Sequence, residues 1–111
     1  MNLKQKEIVL LPFPFTDLEE SKVRPAIVVS NDQFNKRSDD CIMVPLTTVI
    51  KDSPYSIIID QEDMRSGKLL RPSMVRIDKV FTVEKKLAAM KIGRLNDTTF
   101  KKIRNKLIEI F

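Results

Sequence analysis

Residues 22–31 read KVRPAIVVSN, with an arginine and a proline at the mouth of an otherwise apolar run. Proline biases the residue before it toward extended geometry and cannot continue a helix, so Arg24-Pro25 opens a strand. Ala26-Ile27-Val28-Val29 is β-branched enough to be a strand buried on both faces. Arg24 then stands on a rigid rim, its guanidinium offering a fork of donors suited to a phosphate or a carboxylate. The strand ends in the turn chemistry of Ser30-Asn31-Asp32.

Toward the N-terminus, Glu7 to Leu11 (EIVLL) is a short strand ended by Pro12, and PFPFTDLEESK is a loop. Phe13 and Phe15 alternate with prolines there. Two such rings plug one end of a core or form a platform on which bases stack; the plug is the preferred reading for at least one. Lys22 and Arg24 close the loop. In the other direction the polar link NKRSDD leads to Cys41–Thr47, CIMVPLT, a central strand in which Pro45 signals a bulge or an edge. Thr47 and Thr48 place two hydroxyls where that strand leaves the sheet.

Tyr55 to Asp60 (YSIIID) is a further strand, and QEDMRSGKLL is a turn or loop in which Gly67 supplies backbone freedom. A second Arg-Pro then opens RPSMVRIDKVFTV. Read as one strand, it puts Val75, Ile77, Phe81 and Val83 on one side, and Met74, Arg76, Asp78 and Val80 on the other. Arg76 and Asp78 thus point the same way, about 7 Å apart at their Cα atoms. Taken alone, such a pair is a solvated ion pair on the outer face of an antiparallel sheet. From Glu84 to Leu95 the chain reads as a turn and a last short strand, Gly93 marking a bulge or a close approach. Asn96 or Asp97 caps a terminal helix with Phe100, Ile103, Leu107 and Phe111 on one face and Lys101, Lys102, Asn105, Lys106 and Glu109 on the other.

At 111 residues, 42% hydrophobic and 32% charged, the sequence fits a single globular domain, residues 1–111, and excludes collagen, low-complexity disorder and a disulfide scaffold. One cysteine, Cys41, cannot form an internal bridge and reads as a small buried hydrophobe. No apolar span approaches twenty residues, so neither secretion nor a membrane is indicated and the cytoplasm is the expected compartment. A formal charge of +5 favours a polyanionic partner. With no histidine, the usual neutral-pH proton shuttle and any site of histidine metal ligands are absent. Five or six short strands with one closing helix imply a small twisted antiparallel sheet curled into a half-barrel or barrel, the helix packed over one side. Arg24, Thr47 and the Arg76/Asp78 pair form a candidate anion site.

Five blocks carry a resemblance that goes further. EIVLLPFPFTD, VRPAIVVSND, MVPLTT, GKLLRPSMVRIDKVFTV and KIGRL, in that order and followed by a C-terminal helix, resemble the MazF/PemK family of toxin-antitoxin toxins from about residue 7 to the end. The resemblance implies an SH3-like barrel of the CcdB/PemK (MazF) type, mainly β with a C-terminal α-helix. It also implies a homodimer that cleaves single-stranded RNA without a metal or other cofactor, and a cognate antitoxin that lays a disordered segment across the RNA-binding groove. Arg24 and Thr47 match the pair placed at the scissile phosphate, and the PemK-like V-R-x-D places Arg76 and Asp78 as acid and base. Some members use a histidine in the first loop and others lack it; this sequence has none.

The implied chemistry needs a base for the ribose 2'-hydroxyl, a cation for the phosphorane and an acid for the leaving 5'-oxygen. Arg24 is expected to hold the phosphate, Thr47 to donate to a non-bridging oxygen, and Asp78, oriented by Arg76, to act as base. Proton delivery by Arg24 would have to work against the very high pKa of a guanidinium, so its expected role is first electrostatic. Products would be a 2',3'-cyclic phosphate and a 5'-hydroxyl. Lys22, Thr48 and Ser73 are expected to line the RNA groove. Two other readings of the same fold are a CcdB-like poison of DNA gyrase, which would not need Arg24, Thr47 and Asp78 together, and a non-catalytic SH3-like RNA-binding module, indifferent to Asp78→Asn.

Overall fold

The computed structural model describes residues 2–13 and 22–111, without the side chains of Phe13 and Lys22. Among the described residues, eight strands and two α-helices follow in order. These are β1 (Glu7–Phe13), β2 (Lys22–Val28), α1 (Asp32–Arg37), β3 (Asp40–Thr47), β4 (Ser56–Ile59), β5 (Met64–Gly67), β6 (Ser73–Arg76), β7 (Phe81–Glu84), β8 (Met90–Leu95) and α2 (Asp97–Ile110). Single 3-10 turns at Gln61–Asp63 and Lys85–Leu87 precede β5 and β8. The strands form one antiparallel sheet in the order β4-β6-β3-β2-β1-β8-β5, with β7 pairing the first half of β3. The expected half-barrel with a closing helix is therefore present, with more and shorter strands than the five or six expected.

Both faces of the sheet are covered, as the apolar run of β2 requires. Ile27 joins Ile8, Val44, Leu46, Ile59, Val75, Ile77 and Leu95 on the concave face, where Phe100 and Ile103 of α2 close the core. Its neighbours Ala26 and Val28 point the other way, into a second cluster with Leu3, Val9, Leu11, Cys41 and Met43. Burial of about 1.5–3 kcal/mol per large apolar side chain makes these two layers the main stabilising term. Cys41 lies wholly inside the second layer, and desolvation raises the pKa of its thiol. The small buried hydrophobe expected from the sequence is what stands there.

Helix α2 begins where expected. The Asn96 side chain accepts the Thr99 N–H at 2.7 Å, and Asp97 sits in the first turn, its carboxyl held below the usual range by a hydrogen bond from Lys6. Helix α1 was not anticipated, since NKRSDD reads as a polar link. Its signal was present in Asn31, whose side chain accepts the Phe34 N–H at 2.8 Å. Buried Asn35 anchors it, accepting from Ser30 Oγ at 2.5 Å and donating to the Ser30 carbonyl at 3.0 Å.

The single strand expected over residues 71–83 is two strands. After β6 the chain makes a turn in which the Lys79 N–H donates to the Arg76 carbonyl at 3.1 Å. Pairing on β3 moves from Leu46↔Val75 before the turn to Met43↔Phe81 after it. The turn also resets the faces. Val75 and Ile77 belong to the concave core, whereas Phe81 and Val83 pack on the opposite layer, so the four do not share a side. Pro45 stands on central strand β3 where this hand-over from β7 to β6 occurs, rather than at an edge of the sheet.

Gly67 and Gly93 are paired between β5 and β8. Gly67 has φ +81°, and a Cβ there would fall on the Ile92 carbonyl oxygen. A Cβ on Gly93 would lie 2.6 Å from the Ser66 carbonyl oxygen, so the close approach expected at Gly93 is real, and β1 shifts register opposite it.

Candidate active site

Sheet register brings four of the expected residues together. The β2–β3 pairing ends at Ala26↔Pro45, two residues short of Arg24 on one strand and of Thr47 on the other, and both residues line the cleft that opens there. Thr47 pairs in turn with Met74 of β6, which puts Thr48 beside Ser73. Arg24, Thr47, Thr48 and Ser73 line one cleft of about 280 Å³, closed below by Leu46 and rimmed by Val23, Pro25 and Val49. Arg24 and Thr48 are exposed, and Thr47 is half-buried at the end of its strand.

Thr47 is oriented by the turn that follows it. Its Oγ1 accepts the Val49 N–H at 3.1 Å, which occupies a lone pair and leaves the hydroxyl proton to donate. Ser73 behaves differently. It is buried, and its Oγ donates to the Arg71 carbonyl at 3.1 Å, so its hydroxyl proton braces the cleft wall. The side chain of Lys22, and Phe13 and Phe15 as an aromatic plug or platform, lie outside the described residues.

Arg76 and Asp78 are brought to each other but stand outside the lining of this cleft. Arg76 Nε lies 3.5 Å from Asp78 Oδ1, with the two side chains 25% and 37% exposed. At that separation Nε is buried without a hydrogen bond, so the contact is an ion pair only. Arg76 follows Met74 by two residues on β6. It is thus one diagonal step, about 7–8 Å, from Thr47 across the sheet.

Sequence reasoning missed a second cleft of about 390 Å³ that shares Pro25, Thr48 and Ser73 with the first and extends to Lys68 and Arg71. Residues 61–70 read as a bare loop because Gly67 and the charges hide the short strand β5. The second Arg-Pro, at Arg71, was the available signal. A further cleft of about 470 Å³ is lined by Asp39, Glu84, Lys85 and Lys86, whose opposite charges cancel and which hold none of the expected site residues. Among the described residues no three His, Cys, Asp or Glu side chains gather closely enough to share a metal ion. No described helix is long and apolar enough to cross a membrane.

Known proteins share this architecture. Endoribonuclease EndoA of Bacillus subtilis is 27% identical over 90 residues, spanning 81% of this chain and 77% of that protein. Endoribonuclease MazF of Staphylococcus saprophyticus is 25% identical over 92 residues, spanning 83% and 76%. A solved MazE-MazF structure from Deinococcus radiodurans superposes with a TM-score of 0.79 at 18% identity, covering 99% of this chain and 96% of that one. A mycobacterial endoribonuclease in complex with its cognate antitoxin gives 0.77 at 21% identity, covering 96% and 92%. These likenesses establish a MazF-type half-barrel. With the family described as PemK-like, MazF-like toxin matching residues 4–111, the chain belongs to the toxins of type II toxin-antitoxin systems.

Proposed function

We propose that this toxin is a metal-independent endoribonuclease that cuts single-stranded RNA at a short motif, leaving a 2',3'-cyclic phosphate and a 5'-hydroxyl. The observation that carries the reading is that Arg24 and Thr47 line one open cleft, with the Thr47 hydroxyl proton uncommitted. Two relatives at about a quarter identity are named endoribonucleases, which supports the reaction class.

In this mechanism Asp78, oriented by Arg76, takes the proton of the 2'-hydroxyl, and the freed oxygen attacks the adjacent phosphorus. Arg24 and Thr47 stabilise the charge that builds on the non-bridging oxygens. The 5'-oxygen leaves with a proton, delivered by an arginine or by water. Fixed donors aimed at developing charge supply the largest share of such catalysis, about 10²- to 10³-fold per donor removed. Thr48 and the Ser73 wall guide the strand, with Lys22 at the start of β2 holding a neighbouring phosphate. Single-stranded RNA suits an open cleft because its unstacked bases present readable edges.

The toxin acts in the cytoplasm as a homodimer, pooling basic residues from two subunits; Ile58 on edge strand β4, 58% exposed, and Tyr55 just before that strand, 39% exposed, support an apolar contact between copies. A cognate antitoxin covers the cleft, a reading supported by the mycobacterial relative solved with one. The test is incubation of the purified protein with a long RNA in excess EDTA, mapping ends by primer extension beside Arg24→Ala. Discrete cuts with 5'-hydroxyl ends, lost in the variant, are expected. Uncut RNA from folded, antitoxin-free protein, or 5'-phosphate ends, would overturn it.

A further inference from the structure

Apart from the residues it shares with the phosphate cleft, the larger of the two joined clefts has no part in the steps above. It shares Pro25, Thr48 and Ser73 with the phosphate cleft, so one continuous groove leads from Arg24 into it. Its character changes along the way. Leu10, Leu69, Leu70 and Ile92 make its walls apolar, while Lys68 and Arg71 stand at its rim. Leu70 is 91% exposed, although an apolar side chain at that position contributes nothing to either core layer.

The wall is held rigidly. Gln61, in the 3-10 turn before β5, accepts the Leu69 N–H at 2.8 Å and donates to the Gly67 carbonyl at 3.2 Å. The Lys68 N–H donates to the Ile92 carbonyl at 3.2 Å, and Ser73 ties the Arg71 carbonyl from the other end. Every residue from Gly67 to Arg71 except Leu70 is fixed by a backbone hydrogen bond, and the unfixed one carries the exposed side chain. A fixed apolar slot with cations at its lip, opening beside a phosphate site, has the chemistry of a nucleobase pocket. A base buries its faces on the leucines while the flanking phosphates meet Lys68 and Arg71.

We propose that this cleft reads one base next to the scissile phosphate, that Leu70 is its specificity-determining residue, and that Gln61 is a positioning residue acting through the Gly67–Arg71 wall. The inference rests on the ribonuclease reading of the neighbouring cleft. Its volume of about 390 Å³ is enough for one base with its sugar.

The test uses the full chain and its Leu70→Ala and Gln61→Met variants against an RNA pool randomised around a cut site. Cut positions are read by end mapping, and RNAs retained by the protein on filters are sequenced in parallel. The expected result is a preference relaxed on the order of tenfold at a single position beside the cut in both variants, with unchanged melting temperature and end chemistry. A structural role for Gln61 would instead lower all cutting uniformly together with the melting temperature, and would overturn its assignment. Preference unchanged at every position would overturn the pocket. Variants that keep the preference and only bind an antitoxin more weakly would overturn it equally, since the cleft would then take a protein side chain. A wild type that cuts nothing removes the ribonuclease reading, while the filter arm still judges the pocket: one enriched position lost in the variants supports it, and no enrichment overturns it.

Discussion

Arg76 Nε stands 3.5 Å from Asp78 Oδ1 across a turn, not along one face of a strand. The turn frees Asp78 from the sheet, while Arg76 remains half-buried on β6 and fixes where the carboxylate can be. Asp78→Asn is expected to lower turnover by about 10²- to 10⁴-fold, the range for loss of a general base, with little change in melting temperature. Arg76→Gln should lower it less. Single-turnover assays separate the two, and full activity in Asp78→Asn would remove Asp78 from the mechanism.

Thr47→Val keeps a β-branched residue at the end of β3 and deletes only the hydroxyl. Cutting should fall by about 10²- to 10³-fold with RNA affinity changed far less, because the donor matters most in the transition state. Arg24→Lys retains charge but loses the planar fork and should not restore full rate. Binding by anisotropy and cutting by gel measure the two quantities separately; equal losses in both would make Thr47 a ground-state contact.

Lys6 Nζ donates to Asp97 Oδ1 at 2.9 Å and holds the carboxyl pKa below its ordinary value. A carboxylate depressed in the folded state stabilises the fold above its unfolded pKa, near 3.9, and that contribution disappears as pH falls through the lower folded value. Asp97→Asn should therefore be less stable than wild type at pH 5–7, with the difference vanishing as acidification passes the lowered folded value. Because the pair is surface-exposed, added salt should shrink the gap. Urea unfolding at several pH values reads this directly.

Gly67→Ala forces a side chain onto the Ile92 carbonyl at a backbone angle, φ +81°, that L-residues rarely adopt. A loss of about 2–4 kcal/mol is expected, a fall in melting temperature of roughly 10 °C or more. Calorimetry showing no shift would mean that β5 and β8 can separate at little cost.

Burial raises the thiol pKa of Cys41 and also denies access to it. Alkylation at pH 8 should be roughly a hundredfold or more slower in the folded protein than in denaturant. Equal rates would show that the second apolar layer opens readily.

Much of the architecture was legible locally. The apolar run after Arg24-Pro25 could only be a strand covered on both sides, and Asn96 with Phe100 and Ile103 announced the closing helix. These readings rest on neighbours in the chain, on periodicity and on capping, and tertiary contacts do not alter them. Helix α1 was missed although Asn31 offers a cap, because six residues carry too weak a periodic signal against a polar composition. The strand over residues 71–83 was misread because alternation is blind to a turn that consumes residues and exchanges the faces.

What the sequence determined by itself is which residues are the candidates for the chemistry: the rim arginine, the threonine at a strand end, and an arginine and aspartate two apart. Their membership in one family's ordered blocks pointed to a toxin. Which of them meet was decided only by the tertiary structure. Arg24 and Thr47 share one cleft because β2 and β3 pair in a register set by two buried layers, and a slip of one residue would turn every side chain to the opposite face. The apolar cleft beside them exists because Gly67 and Gly93 let β5 close on β8, a contact between residues twenty-six positions apart that no local pattern announces.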